Sequence, residues 1–584
     1  MSRPMMGSSL KPILATSAIS GMSASTAASL IDCEAGRLTN THGRISQWVP
    51  RLRTATDEVH AGAEPELTLK TYLIAVSLML AVFCVALDNT IIATAIPRIT
   101  DQFHALDDVG WYASSYLLTT CAFQLFFGKL YSIFNVKWIF LIALFIFELG
   151  SLICGVAPNS KALIIGRAIA GLGSAGIFSG ALIVISLTVP IRSRPAFLGA
   201  IGGMYGLASV AGPLMGGAFT NDVTWRWCFY INLPLGGITA VGVLFLLKLP
   251  EVVQRSKSMS WWQIFINLDP IGTTIFVPAV VCLLLALQWG GSQYNWSNYR
   301  IILCFILFAI LLFIFIGAQI VLKDKATVPV RVATQRTIAF GSVFAFCLGS
   351  SFFIFIYFLP IWFQAIKGTS PVRSGIDNIP TILSNVVGIT VAGGMTTKFG
   401  HYAPFVIASS IIMPIGAGLL TTLRVNSPIG HWLGYQILYG IGIGLGFQQT
   451  VTAVTVVLPM ADIAVGTAYV LFIQLLGGAV LVSAAQNVFT KDLIEKLSAL
   501  DIPNFNPEVV VKAGATTLRS IVSSEQLPAV LEAYNQALVK VFQVGLIVSC
   551  LAILGAVRME WKSVKGQQMA APVPELATTE EEES

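Results

Sequence analysis

Residues 71–95 read TYLIAVSLMLAVFCVALDNTIIATA, an apolar run in which Asp88 is the sole charged side chain. As a helix rising 1.5 Å per residue, the run is about 37 Å long, enough to cross a hydrocarbon core of about 30 Å. A charge at the centre of a membrane helix costs about 2.5–3.5 kcal/mol on insertion scales, so Asp88 faces protein and is a candidate functional group. Runs of the same kind recur down the chain, about fourteen of roughly 20 residues each. Their expected limits are 71–95, 109–131, 138–157, 163–188, 197–219, 227–248, 270–289, 301–322, 338–360, 376–397, 404–423, 432–457, 464–488 and 539–558. The fold class is therefore all-α, a polytopic membrane helix bundle of about 14 transmembrane helices, because only helices or closed barrels satisfy backbone hydrogen bonds in lipid.

Composition agrees. The chain has 584 residues, 55% hydrophobic and 11% charged, with a mean hydropathy of +0.77, whereas soluble domains carry about 25% charged residues. An ordinary cytosolic enzyme is excluded. The net charge of +6 comes from basic residues scattered through short loops, so nucleic acid is not an expected partner. Cys84, Cys121, Cys154, Cys282, Cys304, Cys347 and Cys550 fall inside apolar runs, with no CxxC spacing, and read as small buried hydrophobes. His42, His60, His104, His401 and His431 are unclustered, which disfavours a membrane-embedded metal or histidine enzyme. Neither a metal nor a cofactor is expected. Without a GxxxxGK[ST] loop, ATP is not an expected partner either.

Residues 1–68, rich in Ser, Ala, Thr and Gly, read as a disordered cytoplasmic tail. Residues 561–584, ending in Glu580 to Glu583, read as an acidic cytoplasmic tail. Between them lie a first six-helix half (69–250), inserted helices 7 and 8 with their linkers (251–335), and a second six-helix half (336–560) with a long extracytoplasmic loop at 490–538. Lys129, Lys137, Arg192, Arg194, Lys248, Lys323, Lys325, Arg331, Arg336, Lys398 and Arg558 fall at one side of the expected bundle. The short loops of the other side hold fewer basic residues, so the positive-inside rule places both termini in the cytoplasm.

Two loops look alike. GKLYSIFNVK runs from Gly128 to Lys137 between helices 2 and 3, and GMTTKFGHY from Gly394 to Tyr402 between helices 10 and 11. Each is a Gly followed by a short basic, aromatic-bearing turn. Pairing them makes helices 1–6 and 9–14 two pseudo-symmetric halves, the architecture of a rocker-type secondary transporter.

Four motifs carry a resemblance that spans about residues 70–560. They are LDNTII at 87–92 leading to Ala95-Ile96-Pro97, RAIAGLG at 167–173, Gly206 followed by GPLMGG at 212–217, and WRWCFYINLP at 225–234. Together they resemble the major facilitator superfamily, in particular its fourteen-span drug:proton antiporter branch of the fungal toxin and multidrug efflux type. The resemblance implies proton-coupled export of small hydrophobic or amphipathic organic compounds by alternating access. The implied partners are a small-molecule substrate, protons and the lipid bilayer, for a monomer in the plasma membrane or, alternatively, the vacuolar membrane. A siderophore importer and a vacuolar basic amino acid transporter share the scaffold. The antiporter motif favours export, and the absence of an acidic cluster in the spans disfavours cationic amino acids. One departure concerns the gating loop: Ser132 stands where the family places Asp and Val136 where it places a basic residue. Gly128, Lys137 and Lys398 then remain as the cytoplasmic gating-loop residues, with Lys137 the remnant of a charge lock.

The expected proton and substrate pathway comprises Asp88, Glu148, Arg167, Gln124 and Gln448. Asp88 lies about 13 Å and Arg167 about 9 Å from the outer ends of their helices, at comparable depth, so a direct or bridged interaction is expected. The alternative role for Asp88 is to order helix packing by a backbone hydrogen bond. Glu148, in the middle of helix 3, is either a proton carrier or a neutral acid bonded to a neighbouring helix. Gly206, Gly212, Pro213, Gly216 and Gly217 read as a kinked, close-packed hinge, because Pro213 frees the Ser209 carbonyl and the glycines admit a neighbouring backbone. Gly171 and Gly173 read as a second close-packing site beside Arg167.

Overall fold

The computed structural model describes residues 67–105, 108–247, 260–291, 294–500 and 518–565. The expected tails at 1–66 and 566–584 lie outside the described residues. The long helices are α1 (Leu69–Phe103), α2 (Val109–Ile133), α3 (Val136–Val156), α4 (Ser160–Thr188), α5 (Arg194–Ala218), α6 (Asn232–Leu246) and α7 (Pro270–Trp289). They continue as α8 (Tyr299–Leu322), α9 (Arg336–Lys367), α10 (Ile379–Phe399), α11 (Ala403–Leu420), α12 (Ile429–Phe447), α13 (Met460–Ser498) and α14 (Leu527–Ala556). Among the described residues, thirteen helical stretches are long and apolar enough to cross a membrane. The exception is α2, whose Ser114, Ser115, Thr119, Thr120 and Gln124 lower its hydropathy. Its polar groups are spent inside the bundle, where Thr120 Oγ1 donates to the Gly171 carbonyl of α4 at 2.9 Å.

Local signals mark the helix ends. Asn159 accepts from the Ala162 N–H at 2.9 Å to cap α4, and Gly368 and Gly400 end α9 and α10 with φ of 68° and 86°, values that favour glycine. Several helices outrun the apolar runs. α1 continues to Phe103, α9 passes through Pro360 to Lys367, α13 reaches Ser498 and α14 begins at Leu527. Hydropathy marks only the lipid-buried part of a helix, while backbone hydrogen bonding carries on into water. Of the segment expected as a long loop at 490–538, the described residues are largely helical: the first complete α13, the last begin α14, and Leu518–Ile521 forms a short helix; residues 501–517 lie outside the described residues.

Packing follows a two-fold pattern. α1 packs on α5 and α6, while α2 and α3 pack on α4; in the same way α9 packs on α13 and α14, while α10 and α11 pack on α12. The two six-helix sets meet along α5–α10 and α2–α13. α7 and α8 pair with one another, and α7 leans on α2 and α13. Of the most apolar window, 83% is buried in α12 and its continuation Gln449–Val457 and 78% in α4, against 11% in α8. The first two are inner helices, and α8 faces lipid on nearly all sides.

At the end of the bundle where α1 begins, the linker after α8 ties both sets together. Lys129 of α2 donates to the Ala326 carbonyl at 2.7 Å, and Arg331 forms a two-bond pair with Asp462 of α13 at 2.5 and 2.9 Å. Buried Asp269 holds this linker in place by accepting from the Thr327 N–H and hydroxyl, both at 2.8 Å. Residues 561–565, expected as part of a solvated tail, instead continue a segment that rests on the α10–α11 turn, where Val564 N donates to the Gly400 carbonyl at 2.7 Å.

Candidate functional site

Five helices converge on one buried charge pair. Arg167 of α4 contacts Asp88 of α1 at 2.5 Å, and both side chains are 0% exposed. Arg167 Nε donates to the Tyr112 carbonyl of α2 at 2.8 Å, and its guanidinium lies 4.4 Å from the Tyr116 ring centroid. Asn232 of α6 donates to the second Asp88 oxygen and to Ser151 Oγ of α3, each at 3.2 Å. A buried ion pair is tolerated only with such added partners, and removing one member leaves an uncompensated charge. The glycines explain the placement: a Cβ at Gly171 would overlap the Tyr116 carbonyl, and one at Gly173 would overlap the Phe147 backbone. α4 therefore approaches α2 and α3 at backbone distance, which sets Arg167 between α1 and α2.

The structure thus brings Asp88 and Arg167 into direct contact, with Glu148 within electrostatic range of Asp88. Glu148 is half-buried on α3, with its carboxylate against Gly236 of α6. Both its oxygens lack a hydrogen-bond partner. It lies one helical turn from Ser151, on a helix whose Phe145, Leu149 and Leu152 are exposed to lipid. Gln124 is buried on α2 with Nε2 unpartnered. Gln448 closes α12 before Gln449–Val457 begins, beside Gly202 of α5.

Sequence reasoning missed the counterpart of Arg167. Arg167 is the eighth residue of α4 and Gln436 the eighth of α12. Glycines follow four and six residues later in each, RAIAGLG at 167–173 and QILYGIG at 436–442. Gln436 donates to the Asp377 carbonyl at 3.1 Å and accepts from Thr381 Oγ1 at 2.8 Å. This repeat is a clearer mark of two related halves than the loops at 128–137 and 394–402. Asn232 stood within the motif WRWCFYINLP at 225–234 but was not singled out, and Ser151 had no sequence signal, since neutral polar residues are common in spans.

The motif on α5 joins three helices. Gly212 and Gly216 sit against Thr90, Ile91 and Thr94 of α1, and Gly206 sits against Val386 of α10. Thr90 Oγ1 donates to the Ala208 carbonyl at 3.1 Å. Gly217 corrects the sequence reading: a Cβ there would meet nothing within 4 Å, so it packs no helix. Pro213 lies inside α5, which loosens into a π-helical turn at Phe219–Val223. Trp225, the first residue of the WRWCFYINLP motif, is buried and donates to Gln102 at 2.7 Å.

The gating loop also differs from its sequence reading. Lys137 donates to the Leu244 carbonyl of α6 at 2.6 Å, within the first half, so it forms no lock to the second. With Ser132 bonded to its own helix at the Lys129 carbonyl, no carboxylate stands in the loop to bind across. Gly128 does cross, packing on Ala464 and Ala468 of α13. The Lys398 carbonyl accepts from Lys565. Among the described residues no group of His, Cys, Asp and Glu could hold a metal ion.

The profile of the Major Facilitator Superfamily matches residues 78–482. The chain is 59% identical over 497 residues to the efflux pump aflT of Aspergillus parasiticus, covering 85% of this chain and 96% of that one. It is 51% identical over 497 residues to the efflux pump roqT of Penicillium rubens, covering 85% and 92%. Among solved structures, the human organic anion transporter MFSD10 (TETRAN) shares the fold with a TM-score of 0.54 at 11% identity, over 82% of this chain and 99% of that one. With its helical bundle and two-fold packing, this chain belongs to the Major Facilitator Superfamily.

Proposed function

We propose that the chain is a proton-coupled efflux transporter, not an enzyme, that exports small hydrophobic or amphipathic organic compounds by alternating access. In this reading it works as a monomer in the plasma membrane, with both termini in the cytoplasm. The observation that carries the proposal is the fully buried Asp88–Arg167 pair on two inner helices, in a chain whose relatives are named efflux pumps. An intramembrane ion pair of this kind is costly unless it is used.

Coupling follows from the neighbours of the pair. A proton on Asp88 removes the charge that holds Arg167, and Arg167 must then find another acceptor. Asn89 and Thr90, next to Asp88, bond α1 to α5 through Tyr205 at 3.0 Å and the Ala208 carbonyl at 3.1 Å. A shift of α1 therefore reaches α5, which Gly206 seats on α10 of the other half. Protonation in this way biases a two-state packing of the halves. Glu148, one turn from Ser151, serves as a second proton-binding group on the path through Ser151 and Asn232 to Asp88.

The test uses purified protein in liposomes and a panel of hydrophobic dyes under an imposed proton gradient. Wild type moves at least one dye in a gradient-dependent way, and Asp88→Asn moves none. Equal movement with and without the gradient in wild type, or full coupling in the variant, overturns the proposal.

A further inference from the structure

The end of the bundle where α1 begins is shut. Gly128 of α2 leaves no room for a Cβ against Ala468 of α13, and Gly393 of α10 leaves none against the Pro195 carbonyl of α5, so both seams between the halves are closed there. Beside the first seam lies a cleft of about 420 Å³, lined by Lys129 and Ser132 of α2, Asp324 and Arg331 of the linker after α8, and Asp462 of α13. Ser132, where the gating loop lacks a carboxylate, adds no charge to it. The linker spans the cleft instead. Lys129 fixes its Ala326 carbonyl at 2.7 Å, and Arg331 grips Asp462 through two bonds. Buried Val328 belongs to one apolar cluster with Leu125 of α2 and Phe472 of α13.

Breaking the Arg331–Asp462 pair strands neither charge. The Arg331 side chain is 52% exposed and also donates to Asp324 within the linker at 2.6 Å. Asp462 is 7% exposed but lies in the first turn of α13, where the helix dipole favours an anion. Asp88 and Arg167 differ, being 0% exposed and dependent on one another. The far end of the inserted helices is fastened to the same two helices by neutral contacts. Trp289 meets Trp111 of α2 at 6.2 Å, and Trp296 donates to Asn487 of α13 at 3.0 Å.

We propose that α7, α8 and their linker form a clip across α2 and α13, with Arg331–Asp462 as the catch that holds the inner end closed. The inference rests on the alternating-access reading above and gives the inserted helices, which lie outside the two six-helix sets, a role in its cycle. Opening inward parts α2 from α13 at Gly128, and the linker, held to α2 by Lys129, then gives up Asp462. The aromatic contacts at the far end keep the clip in place, and Asp324 holds Arg331 in the linker until Asp462 returns.

The test is hydrogen exchange on the full chain in detergent, followed at both ends of the α2–α13 and α5–α10 seams. The chains are wild type, Arg331→Glu, Arg331→Glu with Asp462→Arg, and Asp324→Asn, each melted to check folding. Arg331→Glu sets an acid against Asp462 and shifts the population toward the inward-open form. Exchange rises about ten-fold where α2 ends at Ile133 and α13 begins at Met460, and it falls at the opposite ends of both seams. Adding Asp462→Arg reverses the polarity of the catch and restores the wild-type pattern. Asp324→Asn, which alters an exposed pair within the linker, keeps that pattern. If Arg331→Glu does not fold, Arg331→Gln takes its place with the same opposite shifts expected. No shift, a rise at both ends, or a rise confined to the linker overturns the proposal, as does a double variant that keeps the shift or an Asp324→Asn that reproduces it. Gradient-driven movement of Nile red in liposomes separates the two claims. Driven movement without the opposite shifts removes the catch and leaves the efflux reading, whereas opposite shifts without driven movement remove coupled efflux and leave the catch.

Discussion

At the eighth residue of α4 stands Arg167, and at the eighth residue of α12 stands Gln436. Both are 0% exposed, and both donate to a backbone carbonyl near the start of the neighbouring helix, Tyr112 in one half and Asp377 in the other. The glycine that follows four residues later does the same work in each: Gly171 seats α4 on the Tyr116 carbonyl, and Gly440 seats α12 on the Thr381 carbonyl. The halves differ in charge. The first answers Arg167 with Asp88, while the second answers Gln436 with the neutral Thr381. One scaffold thus carries two arrangements at matching positions: a buried charge pair in the first half and a neutral amide–hydroxyl pair in the second.

The largest expected effect comes from making the first half like the second. Arg167→Gln strands Asp88 in the interior, at a cost of about 3–5 kcal/mol for breaking a buried pair. Thermal melting then shows a marked loss of stability, and gradient-driven transport disappears. Adding Asp88→Asn restores most of the stability and none of the transport. A double variant that still couples would break the comparison.

The converse change is expected to be nearly as severe. Gln436→Arg buries a cation whose acidic neighbour Asp377 is already paired with Arg373 at 3.1 Å, a loss of several kcal/mol in the melt. Thr381→Asp on that background supplies the missing partner and returns part of the stability. No rescue would mean that the two halves are less alike at this position than their packing indicates.

A third comparison concerns the backbone approach. Gly171→Val and Gly440→Val each force apart a helix pair, and overpacking of this kind costs about 1–3 kcal/mol. Comparable losses in the two variants are expected from melting curves. In transport, Gly171→Val is the more harmful, because it also displaces Arg167.

The smallest effect lies outside the membrane. Glu560 accepts from Lys562 at 3.0 Å, and this bond, with help from Thr337 and Gln335, holds its carboxyl below the usual range. A depressed folded-state value stabilises above the unfolded pKa, and that contribution is lost as pH falls through the folded value. The docking of residues 558–565 on the α10–α11 turn therefore weakens below about pH 4. Hydrogen exchange at Val564 measures it, and Glu560→Gln removes the pH dependence.

Much of this was legible in the residues. Lipid demands apolar runs, so the spans could be counted from hydropathy, and the cost of an intramembrane charge singled out Asp88, Glu148 and Arg167. The motif glycines at 171, 173, 212 and 216 were readable for the same reason, since close packing in lipid needs small residues. Helix ends were not, because α13 and α14 continue past the apolar stretch where only hydrogen bonding sets their length. Lys137 and Gly217 could not be placed from sequence: their neighbours are fixed by how α6 and the end of α5 turn. Asn232 and Ser151 are ordinary polar residues until the fold sets them around Asp88. Gln436 was there to be found, in a repeat of spacing that a charge-led reading passes over.

The most direct test of the central claim is proton counterflow. Liposomes holding the protein and a pH-sensitive dye receive Nile red from outside, and luminal pH is followed for wild type, Asp88→Asn and Gln436→Leu. Substrate-dependent proton movement in wild type and Gln436→Leu, absent in Asp88→Asn, is the expected result. Proton movement that survives Asp88→Asn, or that vanishes in a folded Gln436→Leu, would contradict a charge device confined to the first half.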